Sequence, residues 1–310
     1  MLAIETTSGS KPDLTKLWTV FSKKQILRKG RVYFTSLQQC LGCVITEHMQ
    51  TLPLHMIDSH FHLLSIERKG IELPSLLETM QEHSMEGIDI GLEADDLTAR
   101  ANRFLSYPFV HLSGGIGPWG VSEGEMPVET QLEILQKQLE ETKAVAIGEI
   151  GLDNHWNYGT KTAQEGLLLS QIDIAEQRNL PVIFHNREAD EQFITLLRSR
   201  GFSRQGVFHC FQGSEELAKL AIHKGFFLSF AGPLTYKANR TMQELFIQMP
   251  PERILLETDS PYLSPNPMRG RVNTPLNMEH IYRFAAELRG IELADLIQQV
   301  KTNFHSFLSA

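Results

Sequence analysis

Eight short apolar runs, with helix-length patterned segments in the gaps between them, constrain this chain more than any other feature. They are Leu54–His62, Ile88–Leu92, Val110–Ser113, Ala144–Ile150, Val182–His185, Val207–Cys210, Phe226–Ala231 and Ile254–Asp259. Near-continuous apolar runs of this length are what strands of a parallel sheet, covered on both faces, look like in sequence. Leu132, Leu135 and Leu139 share one helical face in one gap, as do Leu168, Ile172 and Ala175 in another. Strands alternating with helices build a parallel sheet, and eight units close it into a barrel. The competing open, doubly wound sheet usually carries a Gly-rich phosphate loop, and no G-x-G-x-x-G follows the first run. The expected fold class is α/β, a (β/α)8 TIM barrel with an N-terminal extension.

Composition narrows the function. A chain of 310 residues with 42% hydrophobic content can bury one large barrel core. Its formal net charge of -8 excludes a uniformly basic surface, so a polyanion would have to be held by a local patch or by metal. No apolar run has transmembrane length, so no membrane partner is expected. Glu5 and the polar stretch Thr6 to Lys11 stand where a signal peptide would have its apolar core. Cys40, Cys43 and Cys210 make no disulfide framework and suit a reducing, cytoplasmic compartment. Cys40 and Cys43 have CxxC spacing without a second pair. Completion of a zinc site by His48 and His55 is conceivable, but chance spacing is the preferred reading. A monomer is the favoured oligomeric state.

Residues 1–53 read as a basic extension and residues 54–310 as the barrel. The extension carries a charge of +4 and leaves -12 on the rest. Asp13 could cap a helix whose Leu14, Leu17, Trp18 and Phe21 share a face, with Gly30 as its stop. Such a helix either docks by its apolar stripe or meets nucleic acid or membrane with its basic face. An upstream start codon is the simpler alternative, since Met56 immediately precedes Ile57-Asp-Ser-His60.

Six metal-competent side chains sit at or near the ends of the apolar runs: His60, His62, Glu149, His185, His209 and Asp259. Parallel strands deliver such residues to one rim of a barrel, where barrel active sites gather. Side chains alternate along a strand, so His60 and His62 face one way and can share a cation. Glu149 closes an apolar run, where a charge is costly unless paired or coordinated. A carboxylate can bridge two cations, so Glu149 is the expected bridge, with a structural salt bridge as the alternative. His185 and His209 end successive strands and are expected on the second ion. Asp259 is expected on the first ion and as acceptor of the proton from the attacking water, giving Asp259 and Glu149 catalytic roles. Glu257, deeper on the same side, reads as a buried hydrogen-bonding partner and not as a ligand.

At these residues the chain resembles the TatD family of metal-dependent deoxyribonucleases, within the amidohydrolase-like barrels. The motifs are Asp58-Ser-His-Phe-His62, Gly148-Glu-Ile-Gly-Leu-Asp153, His185-Asn-Arg-Glu-Ala189, His209-Cys-Phe-Gln-Gly-Ser214, Glu257-Thr-Asp-Ser-Pro-Tyr-Leu263 and Arg269-Gly270. The resemblance implies the same six ligands. Departures lie elsewhere and bear on substrate preference. Leu63-Leu64 replaces the family's Leu-Asp, Gly117 stands where His is common, and Asn273-Thr-Pro275 replaces Asn-Glu-Pro.

The resemblance implies a hydrolase of DNA phosphodiester bonds, trimming single strands from an end. Arg187 and Arg269 are the candidate phosphate contacts, because guanidinium offers phosphate a fork of donors, with surface ion pairs as the alternative. Two divalent metal ions are expected as cofactors. Four histidines favour Zn, Mn, Co or Ni, whereas the resemblance also allows Mg. Two other readings stay open: an ester or amide hydrolase such as a D-aminoacyl-tRNA deacylase, and a non-catalytic nucleic-acid-binding barrel.

Overall fold

A computed structural model describes residues 55–309, and a strand overlaps each of the eight runs. In chain order these are β1 (Ile57–Phe61), β2 (Glu86–Asp89), β3 (Val110–Gly114), β4 (Ala146–Asp153), β5 (Val182–Arg187), β6 (Gly206–Phe208), β7 (Phe227–Phe230) and β8 (Ile254–Leu256). They form a single sheet in sequence order, each pair parallel. Parallel neighbours need a crossover of a dozen residues or more, usually helical. The helices are α1 (Leu63–Arg68), α2 (Leu73–Glu82), α3 (Leu97–Arg103), α4 (Val128–Glu141), α5 (Lys161–Arg178), α6 (Asp190–Ser199), α7 (Glu215–His223), α8 (Arg240–Gln248), α9 (Met278–Arg289) and α10 (Leu293–Leu308). The expected stripes face the sheet: Leu135 and Leu139 of α4 are buried, as are Leu168, Ile172 and Ala175 of α5. This is the TIM barrel the apolar spacing predicts.

Between β1 and β8 the barrel closes by side chains as much as by a ladder. Asp259 N–H donates to His60 O (2.9 Å) and His62 N–H to Ser260 O (2.8 Å). Below them the Asp58 carboxylate accepts from Thr258 N–H (2.9 Å) and Thr258 Oγ1 (2.6 Å). At the other end the Tyr282 hydroxyl of α9 accepts from Ile57 N–H (3.2 Å) and donates to Ile57 O (3.1 Å). Buried backbone groups need partners, and these side chains supply them where β8 is too short to do so.

Strand limits differ from the expected runs in ways that shape the site. β2 starts two residues earlier than its run, at Glu86, and ends at Asp89. β8 stops at Leu256, so Asp259 lies past the ladder on a turn, with φ of +53°. That left-handed conformation costs of order 1 kcal/mol for a non-glycine residue, although Asp tolerates it better than most. β4 runs on to Asp153 because its pairing with β5 continues through Gly151–His185 to Asp153–Arg187. The register of that pair shifts between Ile147 and Ile150, around Glu149. Gly148 and Gly151 make the close approach possible: a Cβ at Gly148 would lie 2.5 Å from Ile183 Cβ, and one at Gly151 would collide with the His185 carbonyl.

Among the described residues no helix is long and apolar enough to cross a membrane. The expected extension, including its helix, Cys40, Cys43 and His48, lies outside the described residues. His55 lies within them and pairs with Glu86 at 3.1 Å.

Candidate metal centre

The six residues singled out by their strand-end positions converge on the C-terminal rim. His60 and His62 turn their Nε2 atoms toward each other at 3.2 Å. Asp259 Oδ1 approaches those two nitrogens at 3.8 and 3.5 Å respectively. Beside this trio, Glu149 Oε2 lies 2.8 Å from His209 Nε2 and 3.6 Å from His185 Nδ1. The same oxygen is 3.7 Å from His60 Nε2, so it stands between the two trios. The His60 and His209 rings stack at 4.0 Å and 9°, which joins the trios into one layer.

These donors fit divalent cations better than they fit one another. Within each trio, His60–His62–Asp259 and Glu149–His185–His209, one ligand atom per residue lies within 4.8 Å of the others. Glu149 Oε2 is buried without an aligned hydrogen bond, despite the 2.8 Å approach of His209. An orphaned buried oxygen is rare in folded proteins, and one aimed between histidine nitrogens is what a cation would satisfy. Imidazole with carboxylate suits Zn, Mn, Co or Ni.

Neighbours fix which nitrogen each ring offers. Asp153 Oδ2 stands 3.0 Å from His185 Nε2, which leaves Nδ1 facing Glu149. His62 Nδ1 lies 3.4 Å from Ile90 O, which leaves Nε2 facing His60 and Asp259. Glu257 is wholly buried, accepts from Cys210 N–H (2.7 Å) and lies 3.4 Å from His209 Nδ1. That matches the supporting place its sequence position suggests, though it also stands within ligand reach of His60 and His209. Below His62, the buried Arg100 guanidinium binds the Asp89 carboxylate (3.1 Å) and the Ser113 carbonyl (2.6 Å). Asp89 in turn accepts from Leu63 N–H (2.7 Å), which pins the end of β1.

Charge is strongly redistributed here. Burial and the neighbouring His209 push the His60 imidazole well below its ordinary range. Burial opposes charge on Glu149, but His209, His185 and His60 outweigh it and hold the carboxyl well below the usual range. Burial likewise opposes a proton on His209, yet Glu149 and Glu257 raise it well above the ordinary value. His185 is raised in the same way by Asp153 and Glu149. A cation entering the cluster therefore displaces protons from it.

Arg187 and Arg269 fare differently. An open cavity of ≈ 450 Å³ lies over His185, His209 and Asp259, with Arg187 and Cys210 in its wall. Arg269 is not among its lining residues and lies over the Tyr236 ring at 4.2 Å. Among the described residues neither arginine pairs with a carboxylate within 4 Å, in contrast to the surface ion-pair alternative. Asp153 is the supporting side chain that strand-end reasoning misses. Its signal in the sequence is its place four residues after Glu149, just past the end of the same apolar run.

A parallel barrel carrying clustered histidines and carboxylates at its C-terminal rim is the construction of a metal-dependent hydrolase. Residues 57–309 match the family model of TatD related DNase, and the chain belongs to that family. It is 32% identical over 243 residues to the Bacillus subtilis metal-dependent hydrolase YabD, covering 78% of this chain and 94% of that protein. It is 34% identical over 203 residues to the Escherichia fergusonii 3'-5' ssDNA/RNA exonuclease TatD, covering 64% of this chain and 77% of that protein. The crystal structure of the Escherichia coli TatD homologue YjjV superposes with a TM-score of 0.73 at 27% identity, over 82% of this chain and 98% of that one.

Proposed function

We propose that this protein hydrolyses phosphodiester bonds of DNA from the end of a single strand. The ligands would be His60, His62, Glu149 and Asp259 for one divalent cation and Glu149, His185 and His209 for a second. The observation that carries this reading is the place of Glu149 Oε2, shared between the two trios and left without a hydrogen bond of its own. When bound, such a pair supplies Lewis acidity for a phosphoryl oxygen and lowers the pKa of water toward ~7. Asp259, at the cavity mouth and within 3.5 Å of His62 Nε2, accepts the proton of the attacking water. Arg187 on the cavity wall offers a guanidinium fork to the phosphate, and Arg269 approaches from over Tyr236. Zn, Mn, Co and Ni are the ions this donor set favours, with Mg admitted by the family. The exonuclease name of the Escherichia fergusonii relative supports the substrate. Three cysteines support a cytoplasmic site of action.

Residues 1–53 are proposed as an appendage dispensable for hydrolysis, since all six ligands follow them. The test is turnover by the metal-loaded protein on end-labelled single-stranded DNA, linear duplex and closed circular duplex, with D-aminoacyl-tRNA in parallel. Release of nucleotides fastest from the single strand is expected. Steady cleavage of the closed circle would overturn the end-directed reading. Inactivity on DNA with release of D-amino acids would replace it with the deacylase.

A further inference from the structure

We propose that Trp156 is a nucleobase-stacking platform against the Arg187 wall of the cavity, gripping a base of the single strand whose phosphate lies against Arg187. The inference rests on the nucleic-acid reading above and adds the element that recognises the base.

Trp156 follows β4 and is 53% exposed, unusual for the largest apolar side chain. Exposure here is not slack in the loop. The Asp153 carboxylate accepts from Trp156 N–H (3.0 Å) and from His155 N–H (2.8 Å). Asn154 N–H donates to Arg187 O (2.9 Å), and the Asn154 side chain donates to Glu188 O (2.9 Å) and to Gln192 Oε1 (2.8 Å). His155 pairs with Glu188 at 2.7 Å and meets the indole edge-to-face at 4.9 Å. These contacts fix the backbone that carries the indole, and His155 packs against the ring, so an exposed ring held this way receives a flat ligand at reduced ordering cost.

Its neighbours specify the ligand. The Arg187 guanidinium lies over one face of the indole, 5.5 Å from the ring centroid, so a base would stack on the other face; Arg187 is also part of the cavity wall. Asp153, which holds the backbone of Trp156, turns its other oxygen to His185 Nε2 at 3.0 Å. One carboxylate thus ties the indole to the candidate ligand cluster. A π-surface beside a cation, both fixed relative to a phosphodiester-cleaving centre, matches a nucleotide: base on the ring, phosphate on the guanidinium. Because every base has a π-face, the platform reads single-strandedness and not sequence. A paired base in duplex has its face occupied by its neighbours.

The test uses the full-length, metal-loaded protein and its Trp156→Ala and Trp156→Phe variants. Binding is read by anisotropy of a labelled, phosphorothioate-linked oligothymidylate and of an abasic strand of equal length. Turnover is read on oligothymidylate and on methyl p-nitrophenyl phosphate, which has no base. Trp156→Ala is expected to weaken oligothymidylate binding about ten-fold, the scale of one base–aromatic stack. Trp156→Phe should restore most of it, and the abasic strand should bind both proteins alike. Cleavage of methyl p-nitrophenyl phosphate should be unchanged. Equal binding of oligothymidylate by wild type and Trp156→Ala would overturn the proposal, as would an equal loss on the abasic strand. Failure of hydrolysis is separable: a ten-fold binding difference without release of nucleotides keeps the platform and rejects the nuclease.

Discussion

Asp153 and His185 form the contact that aims one half of the candidate metal centre: Asp153 Oδ2 lies 3.0 Å from His185 Nε2, while His185 Nδ1 faces His209 Nε2 at 3.2 Å. Burial opposes charge on Asp153, but His185 and the backbone N–H of Trp156 outweigh it and lower its pKa, so the ring has an anionic partner. Carboxylate partners of this kind orient a ligating imidazole and raise its basicity. Asp153→Asn should therefore weaken metal binding at the His185 side by about 10- to 100-fold while leaving the barrel folded. Isothermal titration with Zn or Mn measures it, and unchanged affinity at both sites would remove Asp153 from the centre.

Glu149 stands at the junction of the two trios, so its loss should be felt by both. Glu149→Gln keeps the shape but removes the charge, and we expect metal content to fall at both sites. His185→Ala, in contrast, should deplete only one. Elemental analysis after gel filtration distinguishes the two patterns. Full two-ion occupancy in Glu149→Gln would end the bridging role.

The eight strands and the convergence of six candidate ligands were legible because both depend on simple periodicities. Strand burial writes continuous apolar runs, and a parallel barrel sends every strand end to one rim. What was not legible depends on exact endings. β4 outlasts its apolar run, since Asp153 is held by pairing with β5 and not by hydrophobicity, and this extension is what carries it. Asp259 lies beyond β8 because the seam is completed by Asp58 and Tyr282, partners 200 and 225 residues away in sequence from the backbone groups they serve. Such long-range pairs leave no local signature. Trp156 was silent for the opposite reason: an isolated aromatic in a polar loop has no period at all.

Asp259 should separate chemistry from metal binding. Its carboxylate lies 3.5 Å from His62 Nε2 on a turn past β8 and lines the open cavity, whereas His60 and His62 are buried beneath. Asp259→Asn retains an oxygen for the cation but accepts a proton poorly. Turnover should fall by about 100-fold or more, in the range of lost general-base catalysis, with His60, His62 and Glu149 still holding metal. Near-normal turnover at saturating metal would move the proton acceptor elsewhere.

At the opposite end of the barrel Glu86 opens β2 and gathers three imidazoles: His111 at 2.8 Å, His55 at 3.1 Å and His305 of α10 at 3.7 Å. Burial alone would raise its pKa, but hydrogen bonds from His111 and His55, with the charge of His305, outweigh it and bring the value down to about 2. The sign of the linkage follows from that depression. The folded state holds the carboxylate ionised more tightly than the unfolded chain, where a Glu titrates near ~4.3. The stabilisation is therefore complete above that value and is lost as the pH falls toward about 2. Its partners are partly exposed, so solvent screening reduces the contribution to about 1 kcal/mol. Glu86→Gln should lower stability by that amount near neutral pH, and the gap to wild type should close between pH ~4.5 and pH ~2. Urea titrations at several pH values in that window measure it. A gap that widens on acidification would mean that Glu86 is protonated in the folded protein and that the imidazoles do not hold its charge.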